Sequence, residues 1–189
     1  MNLPALPADA GPVLLGLARN AIARTLGAAA ASPHNAPWLK VPGATFITLT
    51  KAGALRGCIG SLEARRPLGE DVQANAVAAA LRDPRFPALT VDELLQVAVE
   101  VSLLSPAQTI AYRDETDALA QLVPGADGVV FQYGHHRSTF LPQVWEQFAT
   151  AAEFMGHLKY KAGLPPDFWD PEVKLARYAV TKWRESERS

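Results

Sequence analysis

The sequence predicts an α+β fold with a largely antiparallel sheet flanked by helices, and three observations carry that prediction. Two pairs of apolar runs are joined by tight turns: 44–50 to 54–60 across Lys51-Ala52-Gly53, and 129–133 to 138–141 across Gly134-His135-His136. Residues 96–104 alternate cleanly, with Val97, Val99, Val101 and Leu103 on one side and Glu100 and Ser102 on the other. Helical periodicities stand between these strands without the strand–helix–strand rhythm of a parallel sheet.

Each element has a local reason. Residues 9–30 place Val13, Leu14, Leu17, Ala21, Ile22 and Leu26 on one helical stripe, with Asp9 as N-cap and Gly27 as stop. A loop rich in Pro and small residues, 32–43, precedes the first strand. A three-residue turn with Gly53 left-handed would pair Leu49 with Leu55, Thr48 with Arg56 and Phe46 with Cys58. We prefer that register to a two-residue turn, which sets Leu49 beside Arg56 and Ile47 beside Cys58. Residues 68–82 form an Ala-rich helix that burs Leu68, Val72, Ala76 and Ala79 and stops at Asp83-Pro84-Arg85-Phe86-Pro87. A short helical turn fits 90–95, and residues 114–123 start a helix with an acidic first turn. Helix is also expected at 143–148. Thr150-Ala151-Ala152-Glu153 reads as a capping box for a helix through Phe154 and Leu158, closed by Gly163, and a last strand spans 175–183.

Composition narrows the function classes. At 189 residues the chain, 1–189 with a core of about 10–184, fits one domain with room for a small subdomain. A formal net charge of -1 argues against nucleic acid or an anionic membrane surface as partner. Arg19 and Arg24 interrupt the apolar stretch from Val13 to Ala31, so neither a signal peptide nor a membrane span is expected. A single cysteine cannot close an internal disulfide, which makes a cytoplasmic, reducing compartment the simplest expectation. No phosphate-binding loop, dinucleotide fingerprint or metal-ligand spacing is present to name a cofactor, and adjacent His135 and His136 cannot chelate from one strand face.

The chemistry-bearing stretch is Leu55-Arg56-Gly57-Cys58-Ile59-Gly60, with the sole cysteine between two glycines. On a regular strand Arg56 and Cys58 share a face, so the guanidinium could activate the thiol. A free cysteine is also commonly just a small buried hydrophobe. Gly57 and Gly60 pack nothing and suggest that a backbone or a ligand comes close. Glu100 either pairs with Arg56, making a polar patch on the sheet, or faces water. Asp83, Arg85 and Phe86 either present a rigid arginine to an anion or simply stop a helix and plug the core.

These segments together resemble one family. Leu55–Ser61, Asp83–Leu89, Val99–Pro106, Asp127–Val130, Phe140–Trp145 and Lys161-Ala162-Gly163-Leu164 are similar, in order, to the AMMECR-type domain, also called AmmeMemoRadiSam system protein A. The resemblance implies an α+β fold with a larger sheet-and-helix part and a smaller subdomain. It implies partners, a Memo-like protein related to extradiol dioxygenases and a radical SAM protein, but brings no settled activity. Carried over by match, the site is Arg56, Gly57, Cys58, Gly60, Asp83, Arg85 and Lys161. Family members commonly have a cysteine where this chain has Lys159, so a two-thiol mechanism is in doubt. Two readings follow: an enzyme or enzyme component acting on a small anionic metabolite, with Cys58 and Arg56 at its centre, Arg85 a second anion clamp and Lys161 a peripheral charge; or a binding scaffold.

Overall fold

The computed structural model describes residues 6–31 and 34–186. The part of the expected loop at residues 32 and 33 lies outside them. The chain forms two compact units: one runs to Leu104 and resumes at Thr181, and the other spans Ser105–Val180.

The first unit opens with α1 (Ala10–Thr25), which buries Leu14, Leu17 and Ile22. Full burial of such side chains is worth roughly 2 kcal/mol each. Gly27 ends it as expected, with the Ala28 amide returning to the Ala23 carbonyl. Asp9 sits at the N-cap but makes no side-chain bond there. The sheet follows: β1 (Pro42–Lys51), β2 (Ala54–Gly60), β3 (Arg66–Pro67), β4 (Val97–Leu104) and β9 (Val180–Arg184), in the order β2-β1-β4-β9, with β3 pairing on β1. The pairings of β1 with β2, β3 and β4 are all antiparallel. α2 (Leu68–Leu81) and α1 pack on one face of this sheet, and Ile47, Leu49, Val97, Val99 and Val101 meet them in a continuous core. α3 (Val91–Leu94) leads into β4 through a capping box, the Thr90 hydroxyl accepting from the Glu93 amide and Glu93 accepting from the Thr90 amide.

The second unit has its own sheet: β5 (Gln108–Thr109), β6 (Gly128–Tyr133), β7 (His136–Phe140) and β8 (Lys174–Tyr178), in the order β5-β8-β6-β7. α4 (Glu115–Ala120) is capped by Asp114, and α5 (Ala151–Lys161) buries Phe154, Met155 and Leu158. The Phe154 ring stacks on Trp145 at 3.7 Å between centroids. Lys159 is buried, and its ammonium is held by Glu115 at 2.7 Å and the Phe168 carbonyl at 2.9 Å.

Several local expectations need correction. The expected strand 175–183 is two strands in two sheets, broken at Ala179, whose amide and carbonyl are both taken by Ser105. The second hairpin turns on two residues, Gly134 and His135, so His136 belongs to β7 and its Nδ1 bonds the Ala162 carbonyl at 2.9 Å. Residues 142–147 form a 3-10 helix. At 150–153 the box is half closed: Thr150 accepts from the Glu153 amide, but the Glu153 carboxylate takes the Ala149 amide.

Candidate functional site

The site is built around the β1–β2 hairpin, and its register differs from both expected ones. The turn has two residues, Ala52 (φ 49) and Gly53 (φ 77), and pairs Lys51 with Ala54. Both central residues are left-handed, as a type I′ turn requires. One extra residue then enters β2: Thr50 pairs with Leu55 but Leu49 pairs with Gly57, leaving Arg56 at a bulge. Beyond it Thr48 faces Cys58 and Phe46 faces Gly60.

The bulge decides where Arg56 goes. A regular strand would put Arg56 and Cys58 on one face, but the inserted residue breaks that alternation. Arg56 is 9% exposed, and its guanidinium binds Glu93 through Nε at 3.3 Å and Nη2 at 2.9 Å. Lys51, which shares the alternation of the buried Ile47 and Leu49, reaches the same carboxylate at 3.1 Å. Arg56 therefore turns to the helix-covered side, away from the Cys58 side chain. Its Nη1 is buried without a hydrogen-bond partner. Of the two readings of Glu100, pairing with Arg56 is not the one seen: Glu100 lies 3.9 Å from Lys182.

Both glycines are accounted for by close approach of the chain itself. A Cβ on Gly57 would lie 2.2 Å from the Ala79 carbonyl oxygen of α2, and one on Gly60 would lie 2.2 Å from the Phe46 ring. Asp83 and Arg85 both reach the Cys58 backbone. The Asp83 carboxylate accepts from the Cys58 amide at 2.8 Å, and Arg85 Nη2 donates to the Cys58 carbonyl at 3.3 Å. β2 is an edge strand, so this Asp-Pro-Arg turn supplies the backbone partners that a neighbouring strand would. Phe86 beside it is half-buried. Lys161 belongs to the second unit, where its ammonium binds the Thr139 carbonyl at 3.0 Å above the Phe140 ring.

Cys58 itself is half-buried on the sheet face opposite α1 and α2. Register lines it up there with Thr48 and Glu100 across three strands, and the Thr48 hydroxyl donates to Sγ at 3.4 Å. Sequence reasoning missed Thr48 because its pairing depends on the bulge. It also missed Asp71, buried in α2, which accepts from the Thr45 amide and hydroxyl, Ser61, Asn75 and Arg66. An acid beside Val72 and one turn from Asn75, on the buried stripe of an Ala-rich helix, was the available signal. Among the described residues no group of three or more His, Cys, Asp or Glu side chains could hold a metal ion, and no helix is long and apolar enough to cross a membrane.

Two carboxylates are strongly perturbed. Hydrogen bonds from Arg85 hold Asp83 well below the usual carboxylate range despite its burial. Bonds from Arg56, and then Lys51, bring Glu93 down to about 2. A depressed folded pKa contributes stability that is present above the unfolded value near 4 and is lost as pH falls through the folded one. Melting temperature is expected to fall between about pH 5 and 2, with Glu93 contributing roughly 1–2 kcal/mol after allowance for its partial exposure. Thermal melts of the wild type and Glu93→Gln at several pH values check this: the variant's loss over that window should be smaller, and equal losses would refute the assignment.

The family model for AMMECR1 matches residues 15–183, which includes every residue of this cluster. The chain belongs to the AMMECR1 family. Protein MJ0810 of Methanocaldococcus jannaschii is 41% identical over 135 residues, covering 70% of this chain and 67% of that protein. A protein of Sulfolobus acidocaldarius is 34% identical over 189 residues, covering 95% and 83%. The crystal structure of an uncharacterised protein, PH0010 of Pyrococcus horikoshii, superposes with a TM-score of 0.81 at 32% identity, covering 94% of this chain and 92% of that one. Mixed helices and antiparallel sheets are thus the AMMECR1 architecture, as the resemblance implied.

Proposed function

We propose that the sheet face bearing Cys58 is a thiol-centred site for a small anionic molecule, and that this AMMECR1-family chain is an enzyme or enzyme component. One observation carries the reading: Cys58, Thr48 and Glu100 lie in a cross-strand row on one face of the sheet, with the Thr48 hydroxyl on the sulfur. Cys58 would meet the reactive atom of the substrate, as nucleophile or thiol ligand. Thr48 orients the sulfur, and Glu100 with Lys182 supplies charges of both signs at the far end of the row. The positive charge nearest the Cys58 backbone is Arg85 in place of Arg56. Such a free thiol suits the reducing cytoplasm. The test is iodoacetamide on the native protein, read by mass spectrometry. A single adduct on Cys58 at a rate no slower than free cysteine is expected, and Thr48→Val should change that rate. Labelling only after denaturation would end the proposal.

The second reading, a scaffold binding a Memo-like protein and a radical SAM protein, is favoured by a different observation. Gly57, Gly60 and Asp83 are fully explained by internal packing, which leaves Arg85, with 54% of its side chain exposed, to meet a partner. Arg85→Lys keeps a charge for Asp83 but loses the planar fork. Under this reading it should weaken binding of the purified partners while leaving Cys58 labelling unchanged; full binding would count against it.

A further inference from the structure

We propose that the β1–β2 hairpin has a second register, reached when the bulge at Arg56 moves into the turn, and that a small oxyanion on the Cys58 face selects it. In the register described above, Thr50 pairs with Leu55 and Lys51 with Ala54, and Arg56 is the extra residue of β2. Moving the extra residue to the tip pairs Thr50 with Arg56 and Lys51 with Leu55 around a three-residue turn, 52–54. Pairing from Leu49 and Gly57 onward is untouched. The Asp83 bond to the Cys58 amide and the approach of Gly57 to Ala79 therefore both persist.

Three observations bring the two registers close in free energy. Arg56 is only 9% exposed, yet its Nη1 is buried with no partner, so the present register carries an unmade hydrogen bond. Leu55, across from Thr50 on the thiol's face, leaves 44% of its surface in water. The shift turns Leu55 towards Leu49 and the helix-covered core and sends the guanidinium out in exchange. Ala52 holds a left-handed φ of 49, the one non-glycine residue to do so among the described residues, and a three-residue turn moves that demand to Ala54. What holds the present register is Glu93, bonded by Arg56 at 2.9 and 3.3 Å. An oxyanion replaces that partner. Arg184 Nη2 already donates to the Thr50 hydroxyl at 3.1 Å, so after the shift two guanidiniums flank Thr50, beside the Thr48–Cys58 row. They repel unless an anion lies between them, and their forks fit a phosphate or a carboxylate. This part rests on the thiol-centred reading above, since it makes Arg56 and Arg184 the charges that hold the anion next to Cys58.

Disulfide trapping in a Cys58→Ser background tests this. Thr50→Cys with Leu55→Cys reports the present register. Lys51→Cys with Leu55→Cys reports the shifted one, because those two side chains now lie on opposite faces. The second pair should close at about 1–10% of the first pair's rate, as a minor state does. Millimolar inorganic phosphate should raise that rate about fivefold over sodium chloride of equal ionic strength, and Arg184→Gln should remove the response. Ala54→Gly should speed closure of the second pair about fivefold and Ala52→Gly should slow it as much, because each glycine relieves the left-handed position of one register. Closure sped by both glycines would report fraying of the tip and overturn the proposal. So would a second pair that never closes, or one indifferent to phosphate. Failure of the thiol reading looks different: iodoacetamide would leave Cys58 of the native protein unlabelled while the trap still responded to phosphate, which keeps the switch and removes the chemistry.

Discussion

Asp83→Ala is expected to cost about 3 kcal/mol of folding stability and to expose the Cys58 amide to exchange. The Asp83 carboxylate is almost completely buried and accepts four bonds: from the Cys58 amide at 2.8 Å, the Arg85 amide at 3.1 Å, Arg85 Nε at 2.9 Å and Arg85 Nη2 at 2.7 Å. Removing it leaves the outward N–H of an edge strand without an acceptor. Arg85 loses its partner too, but more than half of its side chain is already in water, so it adds less. Asp83→Asn should cost less than the alanine variant, since its amide oxygen can still receive the Cys58 N–H. Urea denaturation gives the stability change, and hydrogen exchange at the Cys58 amide gives the local one. A variant within 1 kcal/mol of wild type, or one that leaves that amide protected, would show that the turn does not seal the β2 edge.

The sequence made the secondary structure legible where pattern alone decides it. Strict alternation from Val97 to Leu103 marks β4, and the stripe through Leu14, Leu17 and Ile22 marks α1. Asp83 and Arg85 could be placed near Cys58 by resemblance, though nothing local said that they cap an edge. The hairpin register could not be read, because both registers considered assume regular pairing and a bulge adds one residue that no periodicity records. That single insertion misled the reading of Arg56, which leaves the thiol's face for Glu93 on α3. It also hid Thr48, the residue that does reach the sulfur. Glu93 was obscure for another reason: it caps α3, binds Arg56 and binds Lys51, and only the first of those contacts is local in sequence. The last strand reads as continuous because apolar content persists through Ala179, whereas the change of sheet depends on Ser105, more than seventy positions earlier.

Gly57→Ala and Gly60→Ala look equivalent by distance and should not be equivalent in effect. Each added Cβ would lie 2.2 Å from a neighbour. At 57 the neighbour is the carbonyl oxygen of Ala79, with its carbonyl carbon at 3.2 Å, inside α2 where the backbone cannot turn aside. Relief requires β2 to move off the helix, which strains its pairing with Leu49 and the Asp83 bond to Cys58. Gly57→Ala should therefore cost about 3–5 kcal/mol or prevent folding. At 60 the neighbour is the ring of Phe46, a half-buried side chain that can change rotamer, so Gly60→Ala should cost about 1–2 kcal/mol. Adding Phe46→Ala to Gly60→Ala should be less damaging than the sum of the two, because the second change removes what the first collides with. Urea midpoints for the four variants measure this. If Gly60→Ala were the more destabilising single change, or the double variant strictly additive, the close approaches would not be what these glycines provide for. If both glycine variants kept wild-type stability, the space they leave would serve something other than the chain, and the thiol-centred reading of the face beside them would gain at the expense of the scaffold reading.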